Sequence, residues 1–168
     1  MNQREGFQFD PDTLNNDFAI LKLQSPFSFN EHIQPACLPP STSYLDLSST
    51  EELCFTSGWG YLKENGNSPQ LCQHVQVPTI TNEDCSNDYQ DQPRSITDSM
   101  ICAGYRGVGG RDSCSGDSGG PLVCNYGGSA VLAGVVSWGF GCGRPEYPGV
   151  YSRVTYVLDW ILENMVMI

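Results

Sequence analysis

Asp112-Ser113-Cys114-Ser115-Gly116-Asp117-Ser118-Gly119-Gly120-Pro121 is the most informative stretch of the chain. A serine set among glycines lets the backbone approach another molecule closely and aim its N–H groups at it. Outward from this stretch the strand signals are many and the helix signals few. Phe18–Leu23, Cys54–Trp59, Gln73–Val77, Leu122–Tyr126, Val131–Trp138 and Gly149–Val154 are short β-type runs, most of them separated by Gly, Pro, Asn or Ser clusters. In Gln73–Val77 the apolar Val75 and Val77 alternate with His74 and Gln76, as in a half-buried strand. Gly127-Gly128 between two apolar runs predicts a hairpin turn. The acidic and hydroxyl-rich stretch Ser41–Glu52 predicts a loop. Thr81-Asn82-Glu83-Asp84 has the form of a helix N-cap with an acid three residues on. Val154, Val157, Leu158, Ile161, Leu162 and Met165 repeat with helical spacing and predict one C-terminal helix. Many short strands and one terminal helix place the chain in the all-β class, as an antiparallel barrel or sandwich.

Composition narrows the function. The chain has 168 residues, 39% of them hydrophobic, which argues against disorder. With 8 basic and 19 acidic residues the net charge is −11, which disfavours nucleic acid and anionic membranes as partners. No apolar run reaches membrane-spanning length. The start Met1-Asn2-Gln3-Arg4-Glu5 lacks the apolar core of a signal peptide. Eight cysteines without a C-x-x-C, and with His32 and His74 isolated from paired Cys, point to disulfides rather than to a metal site. Single all-β domains commonly run to about 200–250 residues, so the length is short for the class.

Residue order then sorts the serine chemistries. Gly116-Asp117-Ser118-Gly119-Gly120 satisfies the G-x-S-x-G nucleophile-elbow pattern, but that α/β fold needs its acid and histidine downstream. No histidine follows Ser118, and the alternating helices of that fold are missing. The order Asp, His, Ser could be met by Asp17, His32 or His74, and Ser118, but it too belongs to an α/β fold. His74 sits in a β-type run and His32 in the Pro-flanked Glu31-His32-Ile33-Gln34-Pro35, where surface or structural roles are expected.

The third order is His, Asp, Ser, and here several motifs agree in register. Gly116-Asp117-Ser118-Gly119-Gly120-Pro121 resembles the active-serine motif of trypsin/chymotrypsin-type peptidases. Asn15-Asn16-Asp17-Phe18-Ala19-Ile20-Leu21-Lys22-Leu23 is similar to that family's catalytic-aspartate segment. Gln34–Pro39, Ser57–Gly60, Met100–Tyr105, Val136–Gly139 and Tyr147–Tyr151 match further family motifs in order and rough spacing, so the resemblance covers essentially the whole chain. It implies a chymotrypsin-like double antiparallel β-barrel, incomplete. Residues 1–38 would be a remnant of the first barrel and linker, 39–153 the second barrel, and 154–168 a C-terminal α-helix.

The resemblance also implies roles. Ser118 would be the nucleophile, the amides of Gly116 and Ser118 the oxyanion hole, and Asp17 the support of a histidine base. The family's histidine lies upstream of the aspartate; none of the sixteen residues before Asp17 is His. Asp117 would pair with an N-terminal ammonium released by activation cleavage, and no Arg-Ile-Val-Gly-Gly-type site is present. Asp112 matches the acid at the floor of a pocket for Arg or Lys, with Ser113 beside it. Gly139 and Gly149 would leave the pocket open, and Ser137-Trp138-Gly139 would pair with substrate backbone. Pro148 stands where sodium-binding relatives carry Tyr, so no sodium site is expected; nor is any other metal or cofactor.

Family pairing would join Cys54 to Cys124, Cys85 to Cys102 and Cys114 to Cys142. Cys37 and Cys72 would remain unpaired, their partners lying N-terminal to anything present; a Cys37–Cys72 bridge is the alternative. The expectation is thus the C-terminal two-thirds of the peptidase domain of a secreted, trypsin-like serine endopeptidase acting on proteins or peptides at Arg or Lys, with protein inhibitors among its partners. The chain itself, without its histidine, is expected to be inactive. The rival expectation is a catalytically dead homologue serving as a binding or regulatory module. No N-x-[ST] sequon occurs, so N-glycosylation is not expected.

Overall fold

The computed structural model describes residues 8–42 and 53–166. Six strands make the centre of the molecule: β1 (Leu53–Gly58), β2 (Gln73–Ile80), β3 (Met100–Ala103), β4 (Pro121–Tyr126), β5 (Ser129–Trp138) and β6 (Gly149–Arg153). They close into an antiparallel barrel in the order β1-β2-β3-β6-β5-β4, so no sheet edge is left exposed. Five of the six β-type runs become strands here. β3 carries no alternation signal because all four of its residues are buried. Val77, Ile101, Leu122, Ala133 and Tyr151 meet in the interior.

The local signals explain the turns. Gly127 and Gly128 both have positive φ (57° and 85°), as a two-residue primed turn requires, and they join β4 to β5 as expected. Helix α1 (Asn82–Asp88) starts at Thr81, whose hydroxyl accepts from the Asp84 amide at 3.1 Å. The expected C-terminal helix opens instead as a 3-10 turn, Val154–Val157, and becomes the α-helix α2 over Leu158–Val166. Only the start of its apolar stripe is covered: Val154, Val157 and Leu158 are buried, Leu162 and Met165 exposed.

One expected strand does not form. Phe18–Leu23 runs as irregular chain, with Leu21 84% exposed, because no strand among the described residues pairs with it. A β-type sequence gains its stability from cross-strand neighbours and burial; this one has no strand partner and only half-buries Phe18 and Ile20. Phe27, Phe29 and Ile33 are exposed in the same region. The loop expected over Ser41–Glu52 lies, from residue 43 on, outside the described residues.

Three disulfides brace the fold. Cys54–Cys124 crosses the β1–β4 seam that closes the barrel, Cys85–Cys102 ties α1 to β3, and Cys114–Cys142 ties the serine loop to the β5–β6 connection. Cys37 and Cys72 are free and exposed. The Cys37 backbone is nonetheless anchored: its amide donates to Ala130 O and its carbonyl accepts from Leu132 N, each at 2.8 Å.

Candidate active site

The serine loop leaves β3 and re-enters the barrel at Pro121. Gly116 has φ 102°, and a Cβ there would lie 3.1 Å from Gly60 Cα, so this turn demands glycine. Among the described residues, the amides of Gly116 and Ser118 have no hydrogen-bond acceptor, whereas Asp117, Gly119 and Gly120 donate to Cys114, Val136 and Asp117 carbonyls. Two free donors therefore flank the Ser118 hydroxyl, the arrangement that can stabilise charge on an acyl oxygen.

Asp117 points inward. Its carboxylate accepts from Gly60 N at 2.7 Å and Cys114 N at 2.9 Å. A Cβ at Gly58 would fall 2.1 Å from Asp117 Oδ1, which explains the glycine in the Ser57–Gly60 segment. The partners of Asp117 were not legible in sequence beyond that motif's presence.

Asp17 is delivered to the barrel by the segment before it. Asn15 Oδ1 accepts from the hydroxyls of Thr97 and Ser99, and Ser152 Oγ donates to Asp17 O at 2.8 Å. The carboxylate then accepts from Ser137 Oγ at 2.7 Å. Ser137 falls where the β5–β6 register skips a residue, between Val136 and Trp138. Such a bulge re-aims one side chain, and here it turns Ser137 toward Asp17. Ser137, expected only as a substrate-binding edge residue, is thus also the partner of the aspartate.

Beside the serine lies a cavity of about 140 Å³. Ser118, Asp112, Ser113, Ser137, Trp138, Gly139 and Gly149 all line it. Asp112 Oδ2 accepts from Gly143 N at 2.9 Å, while Oδ1 is buried without a hydrogen-bond partner among the described residues. Burial raises the Asp112 carboxyl to about 6, against the lowering effect of the Gly143 and Ser113 amides and with help from the negative charge of Asp117. A Cβ at residue 149 would lie 2.4 Å from Asp112 Oδ1, so only glycine at 149 leaves room for this oxygen. At Gly139 a Cβ would meet nothing closer than 3.5 Å, so that position limits the cavity by the size of its side chain alone.

Sequence reading overlooked the supports. Tyr151 lies beneath the cavity, fully buried, its hydroxyl pushed up by burial and by the Asp112 charge. Tyr89 stacks edge-on against Trp138 at 5.1 Å and donates its hydroxyl to Pro148 O at 2.7 Å. The two histidines are elsewhere: His32 is exposed beside Glu31, and His74 lies exposed on β2 beside Phe55. Neither lines the cavity. Among the described residues no cluster of His, Cys, Asp or Glu could hold a metal ion, and no helix is long and apolar enough to cross a membrane.

A family model described as Trypsin matches residues 5–161 of this geometry-bearing chain. The chain belongs to the trypsin family. Trypsin-1 of Astacus astacus is 48% identical over 158 residues, covering 94% of this chain and 63% of that relative. Transmembrane protease serine 9 of Rattus norvegicus is 47% identical over 157 residues, covering 92% of this chain and 14% of that relative. The trypsin-family chain thus spans less than two thirds of the length of each of these relatives. Its mostly β architecture, six-stranded barrel and short C-terminal helix agree with a partial chymotrypsin-like fold. Membership makes it a serine protease homologue by family.

Proposed function

We propose that this chain is the substrate-recognising part of a trypsin-like serine endopeptidase that cleaves after Arg or Lys. The observation that carries the reading is the unpartnered, buried Oδ1 of Asp112 in a cavity that Ser118 also lines. A buried carboxylate oxygen without a donor is costly, and a guanidinium or ammonium entering the cavity would supply the missing donor and charge. Ser113 and Gly149 flank the acid, Gly139 keeps the cavity open, and the edge Ser137-Trp138-Gly139 would pair with substrate backbone.

In this reading Ser118 Oγ attacks the scissile carbonyl carbon, its proton passes to a histidine base, and the carbonyl oxygen takes the electron pair. The free amides of Gly116 and Ser118 hold that oxyanion, each donor contributing on the order of 3 kcal/mol. Asp17, held by Ser137, would orient the histidine and stabilise its charged form. Proton return to the leaving amine leaves an acyl-enzyme on Ser118, which water then hydrolyses. Asp117, seated against Gly60 and Cys114, shapes the loop that carries both amides. Residues 39–153 would act as the second barrel, 1–38 as the segment that brings Asp17, and 154–168 as the helix that packs against the barrel.

The 168-residue chain has no histidine beside Ser118, so by itself it should not turn over an Arg ester or amide; a histidine supplied from outside these residues would complete the triad. Turnover that vanishes on Ser118→Ala would overturn this expectation and bring His74 or His32 back into consideration. The same geometry supports a second reading, a binding or regulatory module that captures Arg or Lys side chains without cleaving. Protein substrates, protein inhibitors and an extracellular setting are the partners and location proposed for either reading.

The decisive experiment is equilibrium binding of benzamidine, whose amidinium stands in for an Arg head group. The chain should bind it at pH 7.5, and Asp112→Asn should weaken binding by about 100-fold or more, as expected for removing one partner of a buried charge pair. Equal binding by the wild type and the variant would defeat the proposal.

A further inference from the structure

The segment beside Asp112 that brings Gly141 and Cys142 to the cavity is short and glycine-rich: Phe140-Gly141-Cys142-Gly143-Arg144. Such a segment has little intrinsic rigidity. Yet its Gly143 amide must sit at 2.9 Å from Asp112 Oδ2 for the acid to be held in place. The Cys114–Cys142 disulfide fixes one side of the segment to the serine loop. The other side is gripped from a distant turn. Glu64, in Lys63-Glu64-Asn65-Gly66-Asn67, receives Arg144 in a two-point fork, Nε to Oε2 at 2.9 Å and Nη2 to Oε1 at 2.6 Å. Glu64 Oε2 also accepts from the Cys142 amide at 3.3 Å. The turn itself is set, with Asn65 at φ 56° and Gly66 N donating to Lys63 O at 2.9 Å.

The fit against the wall is close. A Cβ on Gly141 would lie 2.3 Å from Arg144 Nε and 2.5 Å from Glu64 Oε2, so the ion pair packs directly on the bare backbone. The Arg144 guanidinium also lies 5.0 Å from the centre of the Phe140 ring. An ion pair as exposed as this one, with its side chains 38% and 33% accessible, contributes little to overall stability. Its third bond, to the Cys142 amide, gives it a local task instead.

We infer that Glu64 is a positioning residue of the specificity cavity: through Arg144 and the Cys142 amide it clamps the 141–144 wall so that the Gly143 amide stays on Asp112. The inference rests on the reading of the cavity as a site for Arg or Lys. It makes the 61–67 turn, which does not line the cavity, a determinant of how well the cavity binds a cation. Asp117 is the charged neighbour of Asp112, and the nearby Tyr89 and Tyr151 hydroxyls stay neutral across the pH range of the test.

The test is benzamidine binding by the 168-residue chain, its Glu64→Gln and Arg144→Gln variants and the double variant, from pH 5 to pH 8. Each single variant should bind about 5- to 10-fold more weakly at pH 7.5, the net worth of one ordinary hydrogen bond, since the clamp acts on the bound cation only through the Gly143 amide. The double variant should be no weaker than the singles, because one linkage is broken in all three. The midpoint below which binding is lost on acidification should move upward in every variant, since a carboxylate that loses the Gly143 amide is easier to protonate. A purely structural role would lower the thermal midpoint and leave that pH profile where it was. Unchanged affinity and midpoint in Glu64→Gln, or losses that simply add in the double variant, would overturn the inference while leaving the cavity reading intact. Wild-type chain that binds no benzamidine would remove the cavity reading, and the inference with it.

Discussion

The barrel and the segment before it carry similar raw material and end differently. Val131–Trp138 and Phe18–Leu23 are both apolar and β-prone. The first becomes all but the first two residues of β5, bonded to β4 and β6 on either side. The second finds no strand to pair with among the described residues and leaves Leu21 and Leu23 exposed. The difference shows that strand propensity is a demand for neighbours, not a property that a segment satisfies alone. It also divides the site. The cavity, Ser118 and the free amides belong to the closed barrel, whereas Asp17 arrives on the unpaired segment, held by its own bonds to Ser137 and Ser152 and by that of the Asn16 amide to Ser99.

That contrast breaks most directly on apolar truncation. Leu122→Ala, in a fully buried residue of β4, should cost about 2–5 kcal/mol in denaturant unfolding. Leu21→Ala should cost less than about 0.5 kcal/mol and reduce self-association of the chain. Similar costs for the two would mean that the N-terminal segment is packed after all.

The next effect separates the barrel's function from its stability. Because burial raises Asp112 to about 6 from 3.8, the folded chain holds a proton that the unfolded chain releases between those values. Stability from this group is therefore present at low pH and falls as pH rises through about 4 to 6. Asp112→Asn should stabilise the chain by about 3 kcal/mol at pH 8 and by almost nothing at pH 3.5, even as it weakens benzamidine binding about 100-fold or more. Thermal unfolding at the two pH values reads this directly, and destabilisation at pH 8 would contradict it.

A smaller effect tests how the two regions are joined. Ser137→Ala removes the donor to Asp17 and should cost about 1 kcal/mol globally. It should speed amide hydrogen exchange in residues 15–20 while leaving exchange in β1 and β4 unchanged. Uniform acceleration would show that segment and barrel open as one unit. The smallest effect belongs to the helix end: Leu162→Gln should change stability by no more than about 0.5 kcal/mol, as expected for an exposed side chain.

The sequence by itself determined the β-class of the chain, five of its six strands, the Gly127-Gly128 hairpin, the Thr81 cap and the set of residues around Ser118. Those signals are local: alternation, turn glycines and a motif whose spacing is short. By resemblance it also indicated the pairing of six cysteines that the structure joins as Cys54–Cys124, Cys85–Cys102 and Cys114–Cys142. Tertiary structure alone decided what depends on distant partners. Phe18–Leu23 stays unpaired for want of neighbours, and β3 is a strand because β2 and β6 flank it. Ser137 turns to Asp17 because the β5–β6 register skips at that point, and Asp117 finds its amides at Gly60 and Cys114. Glu64 reaches Arg144 across 80 positions of sequence, a contact no local pattern encodes, because only closure of the barrel brings the two loops to the same side of one cavity.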